Sequence, residues 1–305
     1  MKKVLLIICS TLLTCLNFNF AEINKDAGTK GNNFLKFFYT ARNISLGGAF
    51  VAVRGDVESL NSNPSLLACI SEYQVNTTYN SWFADTNCSS ILLGSPLGLG
   101  IGLGYFNYGE LTRVVSQDDY GIPIEEGTFT ANDVMVVIGY GRKFKIKFLE
   151  NDLLTGMSLR TIWNIIDNSS VNNFSIDLGL NYEIIDGLTT GLSILNLGIA
   201  EQIKLGAMKK FVIRKEDSLL SSIEIEKPVD QNIHFLYGIE YGYKNLVFFR
   251  IGYRGNYDTD WLTIGIGGVY KNIKIDYAYC PFNILGVSHR ISLSFNYNGK
   301  LFLKR

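Results

Sequence analysis

The chain has 305 residues, with 30 Gly, 17 Tyr and 19 Phe but only 5 Pro, and 18% of its residues are charged. Its 28 basic and 28 acidic side chains cancel, which removes the electrostatic case for a nucleic-acid partner. Mean hydropathy is +0.13, and beyond the N-terminal apolar stretch at 4–16 no apolar run is long and unbroken enough for a membrane helix.

At the N-terminus, Lys2 and Lys3 precede an apolar run from Val4 to Leu16, and Ala21 offers a small residue for cleavage. That order predicts a secretory signal peptide over 1–21, because the run is too short to span a bilayer as a helix. Asn19, three residues before the cleavage point, is not small, so lipoprotein processing at Cys15 competes. Thr14 immediately before that cysteine is a poor match. Cys69, Cys88 and Cys280 remain beyond the leader, an odd number at irregular spacing that forms neither a disulfide framework nor a zinc pattern.

A segment of different character follows over 22–70. It carries Asn33-Phe34-Leu35-Lys36-Phe37-Phe38, Ala41-Arg42, Leu46-Gly47-Gly48-Ala49-Phe50-Val51-Ala52-Val53, Asp56-Val57-Glu58-Ser59-Leu60 and Asn63-Pro64-Ser65-Leu66-Leu67-Ala68. From Tyr73 to residue 298 the dominant signal is alternation, the mark of strands with two unlike faces. Phe174, Ile176, Leu178, Leu180 and Tyr182 share one face, and Ser175, Asp177, Gly179, Asn181 and Glu183 the other. Ile273, Ile275, Tyr277 and Tyr279 oppose Lys274, Asp276 and Ala278. Ile291, Leu293, Phe295 and Tyr297 oppose Arg290, Ser292, Ser294 and Asn296. Similar segments recur at 73–82, 87–94, 97–106, 131–141, 153–165, 187–197, 232–242, 245–254 and 261–270. That makes roughly a dozen strands, with room for two more within 200–231.

Three features favour a membrane barrel over a soluble sandwich, which would share the period. Apolar faces often finish in an aromatic, as at Tyr182, Tyr241, Tyr253, Tyr270, Tyr279 and Tyr297. The opposite faces mix charges of both signs, as a lumen tolerates: Asp177, Glu183, Glu240, Arg250, Lys274, Asp276 and Arg290. Connections also alternate between short turns (94–96, 185–187, 242–245, 271–272) and longer loops (107–130, 166–171, 255–260, 281–288), with 142–152 a long member of the short set. The sequence therefore predicts an exported, all-β transmembrane antiparallel barrel in the outer membrane, with lipid as its surroundings. On the segment 97–105, Gly98, Gly100, Gly102 and Gly104 form a side-chain-free inner face. Such a face admits another backbone or eases wall curvature.

The catalytic inventory is thin. His234 and His289 belong to no metal spacing or nucleophile motif, and the acids Asp118, Asp119, Glu125 and Glu126 lack a calcium-loop pattern. Gly47-Gly48 and Gly100–Gly104 precede no helix in strand-period sequence, so they are not phosphate loops. No enzyme activity, cofactor or metal is expected.

The segments at 33–68 resemble the N-terminal part of the PorV/PorQ family of outer-membrane proteins, itself similar to the FadL-type fatty-acid transporters. Asp276-Tyr277-Ala278-Tyr279, Leu285-Gly286 and His289-Arg290-Ile291-Ser292-Leu293 resemble the family's final hairpin. The resemblance implies a 14-stranded barrel with an N-terminal hatch folded inside. It also implies a glycine-glycine-alanine-phenylalanine strand at 47–50, and a gate formed by Gly47, Gly48, Asn63 and Pro64 against a wall at Gly98, Gly100, Gly102 and Gly104. Ser65 departs from the family's alanine, and the chain continues past Tyr297 as a tail over 299–305. Two functions from different classes follow. One is passive passage of hydrophobic small molecules through the barrel. The other is a PorV-like component of a type IX secretion machine or a surface scaffold, binding secreted proteins. A scaffold predicts a sealed lumen and exposed surfaces at 107–130 and 200–231.

Overall fold

A computed structural model of the chain describes residue 25 and residues 29–32, 34–35, 40–82, 85–257, 261–283 and 286–298. The expected leader (1–21) and tail (299–305) lie outside the described residues.

Fourteen antiparallel strands close into one barrel. They are β1 (Tyr73–Ser81), β2 (Asn87–Gly94), β3 (Leu99–Gln117), β4 (Pro123–Phe144), β5 (Leu153–Ile166), β6 (Ser169–Ile185), β7 (Leu188–Leu197), β8 (Gln202–Val212), β9 (Ser218–Pro228), β10 (His234–Tyr243), β11 (Val247–Gly255), β12 (Leu262–Tyr270), β13 (Ile273–Pro281) and β14 (Val287–Tyr297). Each strand pairs with its sequence neighbours, and β1 meets β14 from Tyr73↔Tyr297 to Ser81↔His289, so no edge is left open in the wall.

The faces follow the sequence period. Leu178 and Leu180 on β6 are each 42% exposed, whereas Asp177 is fully buried. On β14, Ile291, Leu293 and Phe295 point out while Arg290 and Ser292 are buried. The apolar side of this protein is therefore its outside, the inverse of a sandwich, and the fold is that of a transmembrane barrel. A one-residue slip would exchange lipid-facing and luminal sets, so the alternation also fixes register. No helix among the described residues is long and apolar enough to cross a membrane.

Several connections differ from the sequence reading. The segment 107–130 is not a loop. The strands β3 and β4 continue as a two-stranded ribbon, paired from Glu110↔Thr130 to Gln117↔Pro123 with register shifts. Pairing of β2 ends at Asn107 and of β5 at Ala131, so the ribbon stands clear of the wall. At its tip, Asp118 Oδ1 accepts from the Tyr120 and Ile122 N–H groups at 2.9 and 2.8 Å, closing the turn. Likewise 166–171 shrinks to a tight turn, because Ile166 pairs with Ser169 and Asp167 adopts φ 53°. Gly98 is not part of a strand. It sits at φ 80° in the turn before β3, and a β-carbon there would meet the Gly141 carbonyl oxygen at 2.2 Å. The stretch 200–231 supplies the two wall strands β8 and β9.

Candidate functional site

Inside the barrel, residues 40–70 form a hatch of three short helical pieces: α1 (Ala41–Ser45) and 3-10 helices at Val57–Asn61 and Pro64–Cys69. Each start is capped by a side chain that accepts from the backbone, Thr40 from Asn43 N–H, Asp56 from Glu58 N–H and Asn63 from Ser65 N–H. The segment at 46–53 is turns rather than the implied strand, because every wall strand already has both partners. Gly47 and Gly48 end α1 at φ 68° and 84°, and the Gly48 N–H donates to Asn43 O.

The hatch backbone runs against glycines of the wall. A β-carbon at Gly252 would lie 2.0 Å from Gly47 N, one at Gly191 2.2 Å from Val51 O, and one at Gly179 2.0 Å from Asn63 Oδ1. Gly156 meets Ser65 N at 2.3 Å in the same sense, and Gly141 meets Ala68 N at 2.7 Å. These glycines are in register: Gly141 pairs with Gly156, which pairs with Gly179, while Gly191 pairs with Gly206 and Gly238 with Gly252. A belt of absent side chains thus holds the hatch at backbone distance. Asn63 fixes it there, its Nδ2 donating to Val51 O at 2.8 Å and to Leu180 O of β6 at 3.0 Å.

Of the glycines singled out from sequence, Gly100 faces Leu67 (2.8 Å to a β-carbon) and Gly102 faces Val137 (2.7 Å), with Leu60 behind both. Gly104 is buried opposite Met135. Gly98 lies elsewhere, in its turn. The closer hatch contacts, at Gly141, Gly156, Gly179, Gly191 and Gly252, were not anticipated. Their signal was present as glycines at inward positions of adjacent strands, but it appears only once register is known.

Charge completes the docking. Arg42 makes a two-pronged contact with Glu240 of β10, both N–O distances 3.0 Å, and reaches Asp56 at 3.1 Å. Arg250 joins Glu240 (2.5 Å) to Asp276 (2.7 Å), and Lys274 bridges Asp276 (2.9 Å) and Asp56 (3.7 Å). Around the wall, Glu224 accepts from the N–H groups of Phe50 and Val51 at 2.8 Å each, while Lys204 pairs with Glu224 and Glu226. Arg54 holds Asn181 and Glu183 at 2.7 and 2.6 Å.

Glu58 is different. It is 1% exposed, accepts from Thr40 Oγ1, and has no basic partner within ion-pair distance among the described residues. Burial, reinforced by Asp56, pushes its carboxyl up to about 8. Asp56 moves the other way: burial opposes it, but Lys274 and Arg42 hold it below the usual carboxylate range.

The lumen is divided. At the long-loop end a packed apolar cluster gathers Phe34, Trp82, Phe106 and Phe282, continuing inward through Leu92, Met135 and Ile162 to Leu60 and Leu67 of the hatch. Its rings sit edge-on or tilted, with centroid separations of 5.9 Å for Trp82–Phe106, 5.8 Å for Trp82–Phe282 and 4.8 Å for Phe106–Tyr108. At the short-turn end a cavity of about 450 Å³ is lined by Arg42, Arg54, Asp56, Glu183, Glu240 and Lys274, among others. Outside the wall, an apolar depression of about 320 Å³ lies over Gly156 and Gly179, walled by Leu178, Leu180, Leu192 and Ile194. Among the described residues, no cluster of three or more His, Cys, Asp or Glu could hold a metal ion.

A closed antiparallel barrel of fourteen strands with an apolar exterior defines the class: an outer-membrane β-barrel. No protein-family model matches the chain, and no curated protein sequence matches it. Solved structures do. The toluene transporter TodX of Pseudomonas putida superposes with a TM-score of 0.60 at 12% identity, covering 85% of this chain and 98% of that one. A TodX monoaromatic hydrocarbon channel mutant (deltaS2S3) gives 0.57 at 13% identity over 85% and 99% of the two chains. The monoaromatic hydrocarbon channel CymD gives 0.52 at 12% identity over 85% and 98%. At such identities the likeness is one of fold.

Proposed function

We propose that this chain is an exported outer-membrane channel for passive passage of hydrophobic small molecules, gated where Asn63 and Pro64 meet the wall. The apolar packing that fills the lumen from Trp82 to Leu60 carries the reading. Small hydrophobic molecules can replace such side chains along a path that opens between them, and polar solutes find no partners there. Similar barrels are named as a toluene transporter and a monoaromatic hydrocarbon channel. The gate is assigned to Asn63-Pro64 because the wall beside it is bare glycine backbone within and an apolar depression without. A small hatch shift there would open an apolar exit through the wall. The luminal side chains act by binding and excluding water, not by bond chemistry.

Purified protein in lipid vesicles, offered a monoaromatic hydrocarbon, tests this. Uptake should exceed that of protein-free vesicles, and Asn63→Ala should change its rate without loss of the folded barrel. Uptake equal to that of empty vesicles would end the channel reading. The secretion-component or scaffold reading keeps the projecting ribbon at 108–130 as a surface for secreted proteins. It loses the other half of its expected surface, since 202–212 and 218–228 are wall.

A further inference from the structure

The two ends of the barrel carry opposite charge, and the basic end has a second regularity. Between Arg142 and Asp152 there are four basic residues and two acidic ones, and Lys209–Asp217 repeats that ratio. The tight turns after β10 and β12 add Lys244 and Lys271. The opposite end is acidic: the ribbon at 108–130 holds five acids and a single base, Arg113.

At the basic rim, cations sit on outward-facing rings at the ends of the wall strands. Lys244 Nζ lies 5.1 Å from the Tyr243 ring, Lys271 Nζ 5.2 Å from Tyr270 and Lys209 Nζ 6.0 Å from Phe211. The Arg142 guanidinium stands 5.6 Å from the Phe144 ring. Residues two apart on a strand share a face, so Arg142 with Phe144 and Lys209 with Phe211 belong to the outward, apolar series of β4 and β8. The rings themselves are exposed, Tyr270 by 71% and Phe144 by 45%. A ring at the hydrocarbon boundary with a cation just beyond it matches the depth profile of a lipid headgroup region, and the cation's sign selects anionic headgroups.

We propose that this rim is a binding surface for anionic phospholipid headgroups of the leaflet at the short-turn end. The inference rests on the membrane-barrel reading and adds a lipid class to it. The acidic opposite end then sets the barrel's polarity, since the two ends would suit leaflets of different charge.

The test uses detergent-purified protein, confirmed as folded by heat-modifiable gel mobility, and native mass spectrometry of retained lipid. Equimolar phosphatidylglycerol and phosphatidylcholine are offered. The wild-type protein should retain phosphatidylglycerol preferentially, and Arg142→Gln/Lys209→Gln/Lys244→Gln/Lys271→Gln should cut that preference by about tenfold or more. If the fourfold variant does not fold, Lys244→Gln and Lys271→Gln singly should each reduce it severalfold. Asp118→Asn/Glu125→Gln at the far end should leave it unchanged. A folded wild type with no preference, or a fourfold variant that keeps it, overturns the proposal. So does salt-reversible binding of soluble polyglutamate without lipid preference, which would mark the rim as a site for an acidic protein. Loss of heat-modifiable mobility in the wild type would instead tell against the barrel reading itself.

Discussion

Asn63 occupies the space that a side chain at Gly179 would need: a β-carbon there would stand 2.0 Å from Asn63 Oδ1. The same amide donates to Leu180 O one residue further along β6. Gly179→Val should therefore push Asn63 off the wall while the wall strand, whose outer face is untouched, still assembles. Overpacking of this kind costs about 1–3 kcal/mol, which falls on the hatch. Hydrogen exchange at the amides of 63–67 should accelerate by roughly tenfold or more, with wall amides unchanged. Gly268→Ala, where nothing lies within 4 Å of the added carbon, is the matched control and should have no effect.

The buried carboxyl of Glu58 gives hatch docking a pH dependence. Its folded value of about 8 lies above the ordinary 4.5, so the docked state binds the proton more tightly than the released state. Docking from this group is strongest below pH 4.5, weakens as pH rises towards 8, and levels off above it. The charged groups facing it are Asp56 and Arg42 of the hatch with Lys274 and Asp276 of β13. Protease cleavage within the hatch should rise across that window, and Glu58→Gln should flatten the profile. A wild-type profile already flat between pH 5 and 8 would show that Glu58 is not the controlling group.

Glu240 is the shared acceptor of Arg42 and Arg250, so its loss leaves two buried guanidinium groups with fewer partners. Glu240→Gln should cost about 3–5 kcal/mol in a reversible urea titration, the penalty for breaking a buried ion pair from one side. Arg42→Met should cost less, because Glu240 retains Arg250 and Asp56 retains Lys274. Equal costs would mean the network does not hold the hatch.

Faces and closure were legible because each wall strand repeats a two-residue period that lipid and lumen enforce separately. The period gave roughly a dozen strands with room for two more, and the number fourteen came from the resemblance. Phe174 to Tyr182 could be assigned to sides from the sequence alone. The ribbon at 108–130 was not legible, since both of its faces are exposed and no burial imposes alternation. At the proposed gate, Asn63-Pro64 was visible through family resemblance and Gly100 through its pattern. Gly141, Gly156 and Gly179 are single glycines in separate strands, and only their pairing turns them into a track. The ion pairs were equally hidden: Arg42 and Glu240 are 198 residues apart, and nothing local names one as the other's partner.

The β14 faces give the last test. Leu293 is 44% exposed on the outer surface, and Leu293→Arg should impair assembly into vesicles by about 2–4 kcal/mol if it sits near the bilayer midplane. A purely water-filled lumen would make Ser292→Arg mild. The hatch changes that expectation, because Ser292 is fully buried and its Oγ accepts from the Ala41 N–H at 2.9 Å and contacts Thr78 Oγ1 at 2.7 Å. An arginine there has no room while α1 is docked, so this variant should assemble with a released hatch. The two substitutions thus separate by readout. Leu293→Arg should lower the folded fraction on a heat-modifiable gel, and Ser292→Arg should leave that fraction near wild type but expose 41–45 to protease. A folded Ser292→Arg barrel with a protected hatch would mean that α1 does not pack where Ser292 meets Ala41.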